Sequence, residues 1–253
     1  MNLSNRNGKV IFSADEDLSL RDTLLLAIRE KADLSGIYLF GADLREMDFN
    51  EVRMPGADLR GACLRGANVF ECDLSGADLQ DADLTGADFY LSNFTKADMR
   101  RAEMVQSNLS EARLLEDCLD EAILREADLS GAKMAGASLR GADLSEADMS
   151  RVDLTDADLS EASLREACLR DAGLRGAKLV KADMSRADLS DASLAGADLT
   201  DADLSNALLA GANLGQDHLL LGMDLLGEDI ADADLRDDKR EGSKLSGSVD
   251  FSL

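Results

Sequence analysis

The chain has 253 residues, of which 51 are acidic and 27 are basic, so its formal net charge is -24. It contains 20 glycines, 1 proline, no tryptophan and only 4% aromatic residues. The charge argues against direct binding of nucleic acid, whose phosphates would repel the chain, and against anionic membrane surfaces. The scarcity of aromatic side chains means that the core must be built from smaller and more regular units.

Residues 1–31 predict a short N-terminal cap. The sequence Val10-Ile11-Phe12 is typical of a strand, and Asp17 or Ser19 can cap a helix that runs to about Lys31. One face of that helix would carry Leu20, Leu24, Leu25 and Ile28. The first residues are polar and lack the apolar region of a signal peptide, and no apolar run is long enough to span a membrane.

Residues 32–216 repeat with a period of five. Every fifth residue from Leu34 to Leu214 is apolar, and these 37 positions hold 27 Leu, 6 Met, 3 Phe and Val69. We number each repeat from this central residue as -2, -1, 0, +1 and +2; position -2 is Ala in 29 of the 37 repeats. A period of five matches neither a helix nor a strand, but it suits a coil whose flat sides each use one repeat. Positions 0 and -2 then point inward, and 13 of the 20 glycines fall at +2, where the chain turns a corner and a positive φ is useful.

The repeated motif A(D/N)Lxx, as in Ala77-Asp78-Leu79 and Ala197-Asp198-Leu199, resembles the pentapeptide-repeat family. The resemblance implies an all-β fold, a right-handed quadrilateral β-helix with four repeats in each coil. On that basis residues 32–216 form a solenoid of about nine coils, preceded by the strand-helix cap.

Residues 217–253 break the register. We expect a C-terminal cap or partial coil, followed by an acidic tail whose composition is typical of disorder. His218, the one histidine of the chain, lies in this segment and is expected to be a cap residue and not a base. A candidate segment for homodimerisation through the C-terminal end comprises Leu219, Leu220, Leu221, Leu225 and Leu226.

The sequence contains no pattern that indicates a catalytic site. In a four-sided coil the cysteines Cys63, Cys72, Cys118 and Cys168 fall on four different sides, which disfavours a disulfide or a metal cluster. No glycine-rich phosphate loop is present, and carboxylates on a convex wall lack a pocket that would raise their pKa values. We therefore predict no enzyme activity, no catalytic residue, no cofactor and no metal. The cysteines, without paired spacing, favour a cytoplasmic location.

Asp117 is the exceptional inward residue, since it occupies a position that is usually alanine. An ionised carboxylate inside a leucine stack is costly unless it is hydrogen-bonded. The sequence leaves two interpretations open. Asp117 is either bonded to nearby backbone amides or water, which we favour, or it marks a local distortion or a ligand site.

The outward charge is unevenly distributed over the four walls, with sums of about 0, -4, -5 and -8 when the wall of Leu34 is taken first. We call the fourth the acidic wall; its predicted partner-binding residues are Glu51, Glu71, Asp88, Glu111, Asp128 and Asp148. The same wall carries an apolar patch of Phe70, Tyr90 and Leu91, because Phe70 and Tyr90 are twenty residues apart. Two further aromatic residues, Tyr38 and Phe40, lie on another wall at the N-terminal end. These exposed apolar groups are either covered by the N-terminal cap or bind a partner.

Two functional hypotheses follow for a non-enzymatic protein-binding solenoid. Resemblance to the quinolone-resistance type of pentapeptide protein implies an acidic mimic of DNA that binds DNA gyrase or another DNA-binding protein. Alternatively, the chain is a rigid scaffold or signalling module that engages proteins through the apolar patch. The acidity itself has a simpler explanation, namely that aspartate before the central residue is a preference of the repeat.

Overall fold

The computed structural model describes residues 1–215. Two short antiparallel strands come first, β1 (Asn2–Ser4) and β2 (Val10–Ser13), and helix α1 (Leu20–Arg29) follows them. The sequence indicated only the second strand, because the polar tripeptide of β1 has no apolar pattern. The predictions for the C-terminal segment, including His218 and the five leucines of the candidate dimerisation segment, lie outside the described residues.

Helix α1 begins where a capping side chain is available. The Ser19 hydroxyl accepts a hydrogen bond from the Asp22 amide at 3.1 Å, and Ser19 itself is extended, with ψ 165°. Beyond the C-terminus of the helix, Lys31 has a φ of +56°, which ends the helical path. The inner side of the helix, with Leu24 and Ala27, belongs to the same buried apolar cluster as the repeats.

The rest of the described chain is a regular coil of twenty residues per turn. From Tyr38 onward each residue at position -1 pairs in parallel with the residue twenty positions later, as in the column Asp58, Asp78 and Asp98. The pairing continues without a slip to Ser193 and Asn213. Twenty residues are four repeats, so the four walls that the family resemblance implied are confirmed.

The repeat centred on Leu84 shows how the backbone is satisfied. The Asp83 amide donates to the preceding coil at Ala62 O (2.9 Å), and the amides of Leu84 and Gly86 donate to carbonyls of the following coil (2.7 and 2.9 Å). The amide of Ala87 closes a turn onto Leu84 O (3.1 Å). The ladder and the turn therefore serve four amides out of five, and only the amide at +1 is left without a backbone acceptor.

The interior is filled as the period predicted. Every central residue from Leu34 to Leu214 is at most 6% exposed, and the alanines at -2 are buried beside them. Phe89 and Phe94 meet edge to face, with ring centroids 5.2 Å apart and planes at 69°. A stack of leucine and alanine thus replaces the aromatic core of an ordinary domain.

Each corner places its +2 residue in the left-handed region. From Gly36 to Gly211 every +2 residue has a positive φ, between 52° at Glu71 and 74° at Gly196. Together with the hydrogen bond from the amide three residues after the central position, this gives the features of a type II turn. Of these 36 corners 23 are not glycine, so the ladder imposes a backbone conformation that costs an ordinary residue about 1 kcal/mol.

A pair of glycine substitutions separates backbone strain from steric fit. Gly86 has a φ of +64°, and an added Cβ would meet no atom within 4 Å. Gly173 lies at position -1 without a positive φ, and its Cβ would make ordinary contact with Asp153 Oδ1 at 3.7 Å. We expect Gly86→Ala to lower the free energy of unfolding by about 1 kcal/mol, and Gly173→Ala to leave it unchanged or raise it. Urea unfolding measures both, and equal losses would refute the assignment of strain to the corners.

Candidate protein-binding surface

The side chain at position -1 supplies the acceptor that the fifth amide lacks. The Asp128 and Asp148 carboxylates each accept the amide of the residue two positions later at 2.9 Å. The same bond recurs at nineteen described positions. The acceptors among these nineteen include the side-chain oxygens of Asn93 and Asn108, at 3.2 and 3.0 Å. The fold therefore explains a carbonyl-type oxygen at position -1, but not a negative charge.

Arginines neutralise many of these carboxylates on the second and third walls. Asp58 forms ion pairs with Arg60 at 2.8 Å and with Arg6 at 3.0 Å, and Asp98 forms one with Arg100 at 2.6 Å. The hydrogen bond from Arg60 holds the pKa of Asp58 below its usual range. The column of Asp58, Asp78 and Asp98 therefore does not repel itself as an unscreened stack of charges would.

The acidic wall is different, because its carboxylates lack cations. None of its six predicted residues forms an ion pair with any residue from 1 to 215, and the Arg170–Asp188 pair at 3.3 Å lies further along that wall. Glu51, Glu71 and Glu111 are corner residues and are exposed. The wall consequently presents a strip of unneutralised carboxylates over several successive coils.

The apolar patch lies within this strip. The rings of Phe70 and Tyr90 stack on neighbouring coils, with centroids 5.7 Å apart and planes at 26°. Leu91, at the corner beside them, is 41% exposed. The patch therefore offers an apolar surface that is bordered by acidic residues.

The aromatic pair at the N-terminal end remains accessible. Tyr38 is 45% exposed and Phe40 is 56% exposed, so of the two alternatives the one in which the N-terminal cap covers them is wrong. That segment instead extends the coil, since the Tyr38 amide donates to Ser4 O at 2.8 Å. The guanidinium of Arg60 lies 5.4 Å from the ring centroid of Phe40.

Asp117 is buried and only half satisfied. Its Oδ1 accepts the Ala97 amide at 3.0 Å, as the favoured interpretation predicted, whereas Oδ2 has no partner among the described residues. Burial raises the pKa of Asp117 to about 8, so the neutral form predominates at pH 7. A hydroxyl at another -2 position, that of Ser92, both accepts an amide (2.8 Å) and donates to Val69 O (2.5 Å).

All four cysteines are free, and Cys72 is buried, with its thiol donating to Phe49 O at 2.7 Å. Burial raises the pKa of Cys72 to about 12, which suppresses the thiolate. Within residues 1–215 no cluster of His, Cys, Asp and Glu is suited to a metal ion, and no helix has the length and apolarity needed to cross a membrane.

The similarity of this chain to known proteins lies in its repeats. The family model for pentapeptide repeats matches in 8 copies, over residues 32–69, 72–113, 122–160, 157–196, 167–206 and 187–216. The crystal structure of HetL, a pentapeptide repeat protein involved in heterocyst differentiation regulation from the cyanobacterium Nostoc sp. strain PCC 7120, is similar. It has 35% identity and a TM-score of 0.50, and the match covers 84% of this chain and 93% of HetL.

Two other solved structures match less extensively. The pentapeptide repeat protein alr5209, also from Nostoc, is 48% identical over 35% of this chain and 70% of its own, with a TM-score of 0.33. QnrB1, a plasmid-mediated fluoroquinolone resistance protein, is 23% identical over 77% of this chain and 88% of its own, with a TM-score of 0.39. A search of curated proteins gives no match.

The buried carboxyl group of Asp117 should make the stability of the protein depend on pH. Because the pKa of Asp117 is raised in the folded protein, its contribution to stability is intact below the unfolded pKa of about 4 and is lost as the pH rises towards 8. We expect Asp117→Asn to remove a slope of up to about 1.4 kcal/mol per pH unit between pH 5 and 8. Denaturant melts at several pH values measure this slope. Parallel curves for the wild type and the variant would contradict the assignment.

The turn hydrogen bond makes a second prediction. Asp148→Asn keeps an oxygen for the Ser150 amide and should leave the free energy of unfolding within about 0.5 kcal/mol of the wild type. Asp148→Ala removes the acceptor and should cost about 1 kcal/mol. Urea unfolding compares the two variants. An equal loss from both would mean that the charge, and not the acceptor, matters at this position.

Proposed function

The chain belongs to the pentapeptide-repeat family, whose fold is a right-handed β-helix, and we propose that it is a non-enzymatic protein that binds a partner through its acidic wall. The partner fitted by this wall is a protein with a basic groove that ordinarily holds nucleic acid, and DNA gyrase is the one to test. The observation that carries the proposal is the strip of carboxylates without cation partners. Such a protein would act in the cytoplasm, where its free thiols stay reduced.

The rigidity of the rod supports recognition by charge. Asp128 and Asp148 are directly paired across neighbouring coils, so their carboxylates repeat at the strand spacing of about 4.8 Å. A line of fixed negative charge attracts a basic groove from a distance and accelerates the encounter. The turn hydrogen bonds hold the aspartates in place, so little side-chain entropy is lost on binding.

The apolar patch supports a second candidate function, that of a rigid scaffold. Phe70 and Tyr90 form a ready-made aromatic anchor of the kind that dominates many protein interfaces. HetL, a related rod, is involved in heterocyst differentiation regulation. Ionic strength distinguishes the two candidates, because a charge-driven complex weakens steeply with salt and an apolar contact does not.

The test reverses charge at corners, where the turn hydrogen bonds are spared. Asp88 and Asp128 each hold a backbone amide, so they are unsuitable for substitution by lysine. Glu51, Glu71 and Glu111 lie at +2 corners, a position that Lys96 and Lys181 also occupy in this chain with the same positive φ. We expect the wild-type protein to inhibit gyrase supercoiling, less so at high salt, and the triple variant with lysine at these three positions to have lost that inhibition.

A matched control uses the diagonally opposite corner. Substituting lysine for Glu121, Glu161 and Asp201, which also have a positive φ, changes the net charge by the same amount but leaves the acidic wall intact, so inhibition should persist. The double variant Phe70→Ala, Tyr90→Ala should also remain mostly active if charge dominates. If the wild-type protein leaves supercoiling untouched at micromolar concentration, the assignment to gyrase is wrong. If binding to a partner is insensitive to salt and lost in the aromatic variant, the scaffold is the correct account.

A further inference from the structure

Helix α1 has a second apolar side that nothing in the described chain covers. Its inner side, with Leu24 and Ala27, is buried against the rod. Its outer side forms a shallow groove lined by Leu18, Asp22, Leu25, Leu26 and Arg29. These spacings of three, four and seven residues place the helical members of the set on one face. Leu25 is 41% exposed there, so the expectation that it shares a face with the buried Leu24 is wrong.

The charge around this groove favours a second copy of the chain. Residues 1–31 contain five acidic and five basic residues, so the whole net charge of -24 lies in the remainder of the chain. Two rods that approach side by side bring two large negative net charges close together along their whole length and repel each other, whereas two rods that approach by their N-terminal ends keep most of those charges apart. The N-terminal end is the part of the described chain where self-association is least opposed.

The two charged residues of the groove are spaced so that each can pair with the other across a two-fold axis. Asp22 and Arg29 are two helical turns apart, and Leu25 and Leu26 lie midway between them. In an antiparallel pair of helices related by a two-fold axis, each Asp22 faces Arg29 of the other copy while the leucines meet at the centre. Asp22 bonds only to Ser19 within the described chain, and Arg29 has no ion pair there, so both are available.

We propose that the outer face of α1 is a self-association surface, through which two copies of the chain join end to end as an antiparallel helix pair. A contact made by one ten-residue helix buries less than the interfaces of permanent dimers, so the dimer should dissociate on dilution. The acidic walls remain free in this arrangement, and the pairing does not depend on the proposed function.

The first test is a comparison of two exposed leucines in the full chain. Leu25 and Leu91 are equally exposed, at 41%, but Leu91 lies on the acidic wall. Sedimentation velocity should show a concentration-dependent dimer for the wild type and for Leu91→Asp, and a monomer for Leu25→Asp. A wild type that is monomeric at every micromolar concentration overturns the proposal, as does a dimer that survives Leu25→Asp.

The second test uses the expected pairing of charges. In a homodimer Asp22→Lys would set a lysine against Arg29 of the other copy, and Arg29→Glu would set a glutamate against Asp22, so each variant alone should be monomeric. Mixed together, the two variants should form a heterodimer, because the introduced lysine then faces the introduced glutamate and Arg29 faces Asp22, so both facing pairs are of opposite sign. Thermal melts verify folding, since Asp22 takes part in the helix cap. Folded variants that fail to associate on mixing would overturn the antiparallel arrangement.

Discussion

The structure depends on a backbone ladder that, together with the turn at each corner, satisfies four amides in every five. The repeat of Leu84 shows this pattern, and there, as in many repeats, a side chain at -1 accepts the fifth amide, at +1. An aspartate or asparagine at position -1 reaches it without leaving the wall. The inward pattern of leucine and alanine fills the coil, and in the repeats that carry aspartate or asparagine at -1 this oxygen gives the remaining amide an acceptor within the protein.

The corners show that the coil is stabilised collectively. Residues such as Glu71 and Leu91 adopt a left-handed conformation that they would avoid in isolation, and neighbouring coils hold them there through paired hydrogen bonds. Each coil contacts only its neighbours, so stability accumulates along the rod and both ends are its weak points. The outward leucines of α1 lie at one of these two ends.

The sequence predicted the inward set and the corners because these follow from the period alone. The period could not give the number of walls, which came from the family resemblance, nor strand β1, whose three residues carry no pattern. It also missed the arginines that neutralise Asp58 and Asp98, because a partner two residues away, or seventy-two away in the case of Arg6 and Asp78, leaves no periodic signal. The sequence showed that Asp117 is exceptional, but it could not show that only one oxygen of this carboxyl group is hydrogen-bonded within the described chain.

The turn hydrogen bond accounts for the oxygens of the acidic wall but not for its charge. The turn hydrogen bond needs an oxygen at -1 but not a charge, as Asn108 shows on this wall. On the second wall Asp58 and Asp98 are each paired with the arginine at +1, Arg60 and Arg100. The +1 column of the acidic wall instead reads Asn50, Phe70, Tyr90, Ser110, Ser130 and Ser150 before the first cation, Arg170. The +1 column of the first wall also reaches its first cation late, at Arg175, but that wall carries cations at -1, such as Arg53 and Lys133. The acidic wall has unpaired carboxylates and an aromatic pair in their place, and the proposed binding of a basic partner rests on that combination.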